Sequence, residues 1–388
     1  MKLKRKLLYL SAALVLYLGI GAILLYNETI QRLYIFPGWS IKHGATDEDD
    51  STVSSDGPII RYESGKILKH QVVPDGEKFS LIKKEIDKTE QLNCFVDETK
   101  DAFAFQLKDS LQVEPSDYQM PGKMLVISDI EGNFKGFKSI LQGNKIIDKN
   151  FNWTFENNHL VLVGDFFDRG VNVTECLWLI YKLENEAEQQ GGKVHFILGN
   201  HEMMNLKGQL KYVRDKYYEN ADTLQLDYEK WYAGNTELGR WLRTKNGVEK
   251  IGDLLFVHAG IRKDFPKKYT IRQINENIRT NIDKIYQKEE DHRDDVFIGN
   301  RGVLWYRGIS NEEEKQEDIE KTLLAFKAKK MIIGHTVMDE IKYLYNQKVI
   351  AIDLEHQANS EKGKMYALWI EKGMFYSIDH NGAKSVLK

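Results

Sequence analysis

The chain runs through three hydrophobic rhythms. Leu7 to Tyr26 reads LLYLSAALVLYLGIGAILLY, twenty residues with no charge and no polar face. At about 1.5 Å per residue, a helix of that length covers roughly 30 Å, the thickness of a bilayer core. Lys2, Lys4, Arg5 and Lys6 precede it, and such positive clusters stay on the cytoplasmic side. The pattern predicts a membrane anchor over 7–26, a cytoplasmic tip within residues 1–27, and a C-terminal bulk that is periplasmic or extracellular. A cleaved signal peptide is the competing reading, with Gly19 and Gly21 as a small-residue site. Against it, the apolar run continues through Ile23 to Tyr26.

The second rhythm is short and strand-like. Residues 44–57 (GATDEDDSTVSSDG) are acidic and Ser-rich, so the stretch 28–57 reads as a linker. Ile59 to Tyr62, Ile67 to Val73 and Ala102 to Leu107 then cluster or alternate apolar residues between turn formers. Residues 58–120 therefore read as a small β-rich extension without a catalytic motif, packed on the main domain at 121–388.

The third rhythm starts at Met124. MLVIS, LVLV (from Leu160) and VHFIL (from Val194) read as buried strands. Phe134 to Leu141 and Thr174 to Gln190 read as helices between them, the second ended by Gly191-Gly192. Strand and helix alternate, which predicts a sheet covered by helices. Residues 205–245 look helical, and two charged helical stretches fall within 270–329. Further strands are expected at Leu254 to Val257, Met331 to Ile333, Lys348 to Asp353, Lys364 to Ile370 and Gly373 to Ile378.

Each predicted inner strand stops at a polar cluster. MLVIS runs into Asp129-Ile130-Glu131-Gly132-Asn133. LVLV runs into Gly164-Asp165-Phe166-Phe167-Asp168-Arg169-Gly170, and VHFIL into Gly199-Asn200-His201-Glu202. LLFV runs into His258-Ala259-Gly260, and MII into Gly334-His335-Thr336. In open α/β sheets, sites form beyond the carboxyl ends of the strands. Carboxylates, imidazoles and an amide oxygen on one rim suit divalent Mn, Fe or Zn. An Asp carboxylate can bridge two such ions about 3.5–4 Å apart.

Composition removes rivals more than it adds readings. Hydrophobic residues make up 42% and charged residues 29%, which is globular. Lys and Arg total 55 against 58 Asp and Glu, so no basic excess points to nucleic acid. With only Cys94 and Cys176, a disulfide scaffold and a cysteine zinc site are excluded; one Cys94–Cys176 bridge has room at most. Cys176 falls on a core helix and reads as a buried free thiol. His159 and His195 read as structural, and His356 as a candidate for the cleft wall.

At these motifs the chain resembles the calcineurin-like metallophosphoesterases, in their phosphoprotein phosphatase branch. GDFFDRG and GNHE match that branch. Gly199 to Val213 together with LWYRG (Leu304 to Gly308) and GHT is similar to the bacterial Shewanella-like phosphatases. The resemblance spans roughly 122–355. It implies an αβ-sandwich of two packed mixed sheets flanked by helices and two divalent metal ions, Mn favoured. Asp129 would bind the first ion and Asp165 would bridge both. Asn200, His258 and His335 would bind the second ion, Asn200 also touching substrate. A water activated by the ions would attack phosphorus in line. His201 would protonate the leaving group, oriented by Asp168, while Arg169 and Arg307 clamp the phosphate.

The family carries His in the first motif where this chain has Glu131. A carboxylate can serve as ligand there but is harder, so a preference toward Mn or Mg is expected. The resemblance implies a hydrolase of phosphomonoesters, of phosphoprotein or phosphopeptide type, which the apolar run 7–26 would anchor to a membrane. The alternatives are a dinucleoside polyphosphate or other phosphodiester hydrolase on the same site, and a non-catalytic binding protein that kept the cleft. Oligomeric state is left open.

Overall fold

The structure, a computed structural model, describes Leu14 and residues 16–21, 32–36, 39–42, 52–285 and 295–388. It forms two compact units, Met1–Thr52 and Val53–Lys388. In the first unit, residues 16–21 are helical and Arg32–Phe36 pairs antiparallel with Trp39–Lys42. This hairpin falls in the stretch read as linker; RLYIF is rich in residues that favour strands. The rest of the predicted 7–26 anchor lies outside the described residues, and no described helix is long and apolar enough to cross a membrane.

The second unit is built on two six-stranded mixed sheets. One runs, in order, Lys193–Phe196, His159–Leu162, Lys123–Ile127, Tyr366–Glu371, Met374–Asp379 and Lys384–Val386. Its first three strands are parallel and the rest antiparallel. The other runs Lys342–Leu344, Val349–Ala351, Lys330–Ile333, Leu254–Val257, Val248–Ile251 and Asp117–Tyr118. Its core is the parallel set Val349–Ala351, Lys330–Ile333 and Leu254–Val257.

Strand side chains alternate between faces, and here both faces are buried. Met124, Val126, Val161 and Leu368 of the first sheet share a core with Leu254, Phe256, Ile332 and Ile350 of the second. Leu125, Ile127, Leu160 and Leu162 point the other way, into the layer of helices. Burial on both sides explains why these strands read as continuous apolar runs.

The helix Val173–Gln189 is buried almost all round, which needs a cover on its outer side. Residues 56–107 supply it. They form a three-stranded antiparallel sheet, Asp56–Glu63, Lys66–Asp75 and Lys78–Ile86, and a hairpin, Leu92–Val96 with Asp101–Phe105. Phe105 stacks on Trp178 at 4.5 Å, and the Trp178 indole donates to the Pro58 carbonyl at 2.9 Å.

Three strands of the second sheet escaped the sequence pattern, as did Lys78–Ile86, Leu92–Val96 and Lys384–Val386 elsewhere. Val248–Ile251 carries Glu249 and Lys250 in its centre, Lys342–Leu344 is three residues long, and Asp117–Tyr118 is an edge pair. The stretch 205–245 holds helices Asp215–Leu224 and Glu237–Leu242 with a 3-10 turn at Tyr228–Lys230. Ile271–Ile282 and Gln316–Ala325 are the described helices of 270–329. Cys94 and Cys176 are both free and buried, so the bridge that had room to form is absent.

Candidate active site

The loops that follow the inner strands meet beyond their carboxyl ends. The first two are stitched together by backbone: the amides of Asp129, Glu131 and Gly132 donate to the carbonyls of Gly164, Asp165 and Phe166 at 2.9–3.0 Å. Six residues here hold left-handed backbone: Asp129 (φ 53°), Glu131 (49°), Asp165 (57°), Asp168 (69°), Arg169 (57°) and His335 (66°). Such conformations cost energy away from glycine and gather at functional sites. Gly164 turns at φ 86°, and a Cβ there would run into His258 Nδ1 and the Gly199 backbone.

His258 is the hub. Its Nδ1 faces the Val163 carbonyl at 2.8 Å, which fixes the ring. Its Nε2 lies 3.0 Å from Asp165 Oδ2, 3.0 Å from the Asn200 side-chain amide and 3.2 Å from His335 Nδ1. The His335 amide in turn donates to Asp129 Oδ2 at 3.1 Å. Asp129, Asp165, Asn200, His258 and His335, predicted from five separate stretches, thus lie in one chain of contacts. Asp165, His258 and His335 offer ligand atoms close enough to share an ion, and so do Glu131, Asp165 and His201.

His201 sits beside this hub. Its Nδ1 is 2.6 Å from Asp168 Oδ2, and its Nε2 is 3.9 Å from Asp165 Oδ2. Asp168 also accepts from the Asn205 amide at 2.9 Å. Arg169 contacts the Glu131 carboxylate and lies 5.4 Å over the Tyr212 ring. Arg307 donates to the His335 carbonyl and to Thr336 Oγ1, both at 2.8 Å.

The electrostatics match a pocket short of positive charge. Burial pushes the Asp129 carboxyl up to about 6, with Asp165 adding to the rise and His258 opposing it. Burial would also raise Asp165, but His258 and His201 outweigh it and hold that carboxyl below its ordinary value. Burial works against a charged His258, yet Asp165 and Asp129 carry it up to about 10. His335 is driven far down by burial and then by His258 and Arg307. Burial opposes charge on His201 as well, but Asp165 and Asp168 overcome it and raise the imidazole.

The donor set fits divalent cations. His335 Nε2 is buried without a partner, and Asp129 and Asp165 are two buried carboxylates, the charge of one raising the other. An uncompensated buried polar atom is costly; a cation would satisfy both features.

Two residues escaped the sequence reading. Glu202 is fully buried, and its carboxylate accepts from the amides of Gly199 (2.7 Å), Asp165 (2.8 Å) and Phe166 (2.7 Å). Burial and Asp165 push it up to about 7 against those amides. Asp353 is buried with Oδ1 unpartnered. Burial and then Asp129 raise it strongly. It follows the apolar strand Val349–Ala351, the same signal that marked the other clusters. His356 is buried, its carbonyl bonded to Asn133, and burial lowers its imidazole to about 4. His159 and His195 pair with each other at 2.9 Å, and His195 with Glu249 at 2.7 Å, away from the site.

A match to the calcineurin-like phosphoesterase family covers residues 122–339, more than half of the chain, and the chain belongs to that family. Among solved structures, it is similar to a cold-active protein-tyrosine phosphatase of a psychrophilic Shewanella species. The TM-score is 0.77 at 30% identity, covering 87% of this chain and all of that one. Among curated proteins, it is similar to Shewanella-like protein phosphatase 1 of Plasmodium berghei, 30% identical over 222 residues. That alignment takes 55% of this chain and 61% of the relative's length. Shewanella-like protein phosphatase 2 of Arabidopsis thaliana is 26% identical over 288 residues, 61% of this chain and 72% of that protein. A symmetrical bis(5'-nucleosyl)-tetraphosphatase of Wigglesworthia glossinidia brevipalpis is 27% identical over 184 residues, 43% of this chain and 58% of that protein.

Proposed function

We propose that the chain is a membrane-anchored, dinuclear-metal phosphatase that hydrolyses phosphomonoesters of the phosphoprotein or phosphopeptide type. The observation that carries this reading is the convergence of Asp165, Asn200 and His335 on His258 Nε2 within 3.0–3.2 Å, beside the buried His201–Asp168 pair.

In this reading Asp129 and Glu131 belong to the first ion, Asp165 to both, and Asn200, His258 and His335 to the second. A bound pair of divalent ions, Mn favoured, supplies the Lewis acidity that activates water and offsets phosphate charge. The protein's own groups do the rest. Arg169 and Arg307 present planar forks to the phosphate oxygens, and the Asn200 amide lies close enough to add a contact. Asp168 accepts the Nδ1 proton of His201 and, with Asp165, favours the imidazolium, whose Nε2 proton goes to the departing oxygen. No covalent phosphoenzyme forms.

Residues 7–26 with the basic tip 1–6 hold the chain at a membrane, N-terminus inside, so the substrates are periplasmic or extracellular. The test is turnover of an aryl phosphate by metal-loaded protein carrying Asp165→Asn or His201→Asn. Abolished activity supports the reading, and retained activity refutes it. The similarity to the tetraphosphatase favours a second reading, a dinucleoside polyphosphate hydrolase on the same site. A higher kcat/KM on diadenosine tetraphosphate than on a phosphopeptide would select it.

A further inference from the structure

The phosphate arginine and an acidic neighbour are in contact. Glu131's carboxylate accepts from Arg169 Nη1, and the two side chains are 20% and 53% exposed. Arg169 is pinned on another side as well: its amide donates to the Tyr212 carbonyl at 3.0 Å, and its guanidinium lies over the Tyr212 ring. Tyr212's ring also stands 5.2 Å from the His201 ring, so one aromatic side chain neighbours both the guanidinium and the imidazole. Glu131 has a second use open to it, because with Asp165 and His201 it makes a group tight enough to hold a cation.

One carboxylate cannot serve both neighbours in full. Charge given to Arg169 is withheld from the cation pocket, and an arginine already neutralised by an internal carboxylate must lose that partner before it binds phosphate. We propose that Glu131 is shared between the cation pocket and Arg169, so that it acts as a positioning residue that couples metal loading to phosphate capture. A cation in the pocket draws the Glu131 charge toward Asp165 and releases Arg169 for the phosphate oxygens. By linkage, phosphate on Arg169 frees Glu131 for the cation. The inference rests on the proposed function only for its two ligands, a divalent cation and a phosphate.

A double-mutant cycle on metal-stripped full-length protein tests it by calorimetry, with no turnover measured. Mn2+ is titrated into wild type, Glu131→Gln, Arg169→Gln and the double variant. The expected result is that Arg169→Gln tightens Mn2+ binding about three- to tenfold when Glu131 is present, and by less than about twofold in the Glu131→Gln background. Inorganic phosphate titrated into the stripped protein should bind more tightly to Glu131→Gln than to wild type, and the gain should vanish in the double variant. Glu131→Ala repeats both arms, and thermal melts establish that each variant is folded. An equal Mn2+ effect in both backgrounds, or weaker Mn2+ binding on Arg169→Gln, overturns the coupling. Coupling without turnover on any phosphoester would leave this inference standing and fell the phosphatase reading instead.

Discussion

His201 and Asp168 form a buried pair, Nδ1 to Oδ2 at 2.6 Å, which leaves His201 Nε2 facing the pocket 3.9 Å from Asp165. The pair aims the ring, and Asp165 and Asp168 together favour the imidazolium, which carries on Nε2 the proton that general acid catalysis requires. Asp168→Asn should lower kcat on phenyl phosphate by about 10²-fold or more. The loss should shrink on 2,4-dinitrophenyl phosphate, whose leaving group needs no proton. A leaving-group series with both proteins checks this; equal losses across the series would remove the acid role.

Glu202 joins the two turns that carry Asp165 and Asn200. It takes the Gly199, Asp165 and Phe166 amides on one carboxylate. Glu202→Gln turns an NH2 toward at least one of those donors and should cost about 1–3 kcal/mol of stability. At about 1–1.5 °C per kcal/mol for a chain of this size, the melting temperature should fall by about 1–4 °C. Mn2+ affinity should fall as well, because the turns it ties hold the pocket. Gly199→Ala should do the same sterically, since its Cβ would overlap the Asp165 carboxylate. Differential scanning calorimetry with and without Mn2+ reads both effects.

How much of this was legible depended on burial. Strands enclosed on both faces announced themselves as apolar runs, and the clusters after Ile127, Val163, Leu198, Val257 and Ile333 marked the site. A strand with charged residues at its centre did not: Val248–Ile251 sets Glu249 and Lys250 between Val and Ile, and Glu249 is buried because His195 meets it at 2.7 Å. A buried carboxylate paired through the fold looks like a surface residue in sequence. Glu202 shows the same blindness inside a recognised motif, since three amides from two loops define its role. Asp353 carried a readable signal, an apolar run ending in Asp, without a matching motif to raise it.

Glu114 ties the segment before the first inner strand to the core. It meets Lys193 at 2.8 Å and the buried Lys245 at 3.1 Å. Burial raises its carboxyl, but Lys245 and Lys193 outweigh it and bring it down to about 2 from 4.5. The folded value is below the unfolded one, so this stabilisation is complete above pH 4.5 and is lost as pH falls toward 2. Glu114→Gln should melt lower at neutral pH and show a flatter decline over that acid window. Thermal melts from pH 7 to 2.5 check it; identical slopes would remove Glu114 from the acid response.

The anchor proposal has its own test. A reporter fused at the C-terminus should be active only when it requires export, and the protein should stay with membranes after alkaline carbonate washing. Deleting residues 1–27 should release it. A fusion active only in the cytoplasm would reverse the topology.

Counting bound metal decides the matter most directly. After loading stripped protein with Mn2+ and dialysis, elemental analysis should give two ions per chain, falling to one or none with Asp165→Asn. A wild-type value of one or zero would contradict the paired-cation site at Asp129, Asp165, Asn200, His258 and His335.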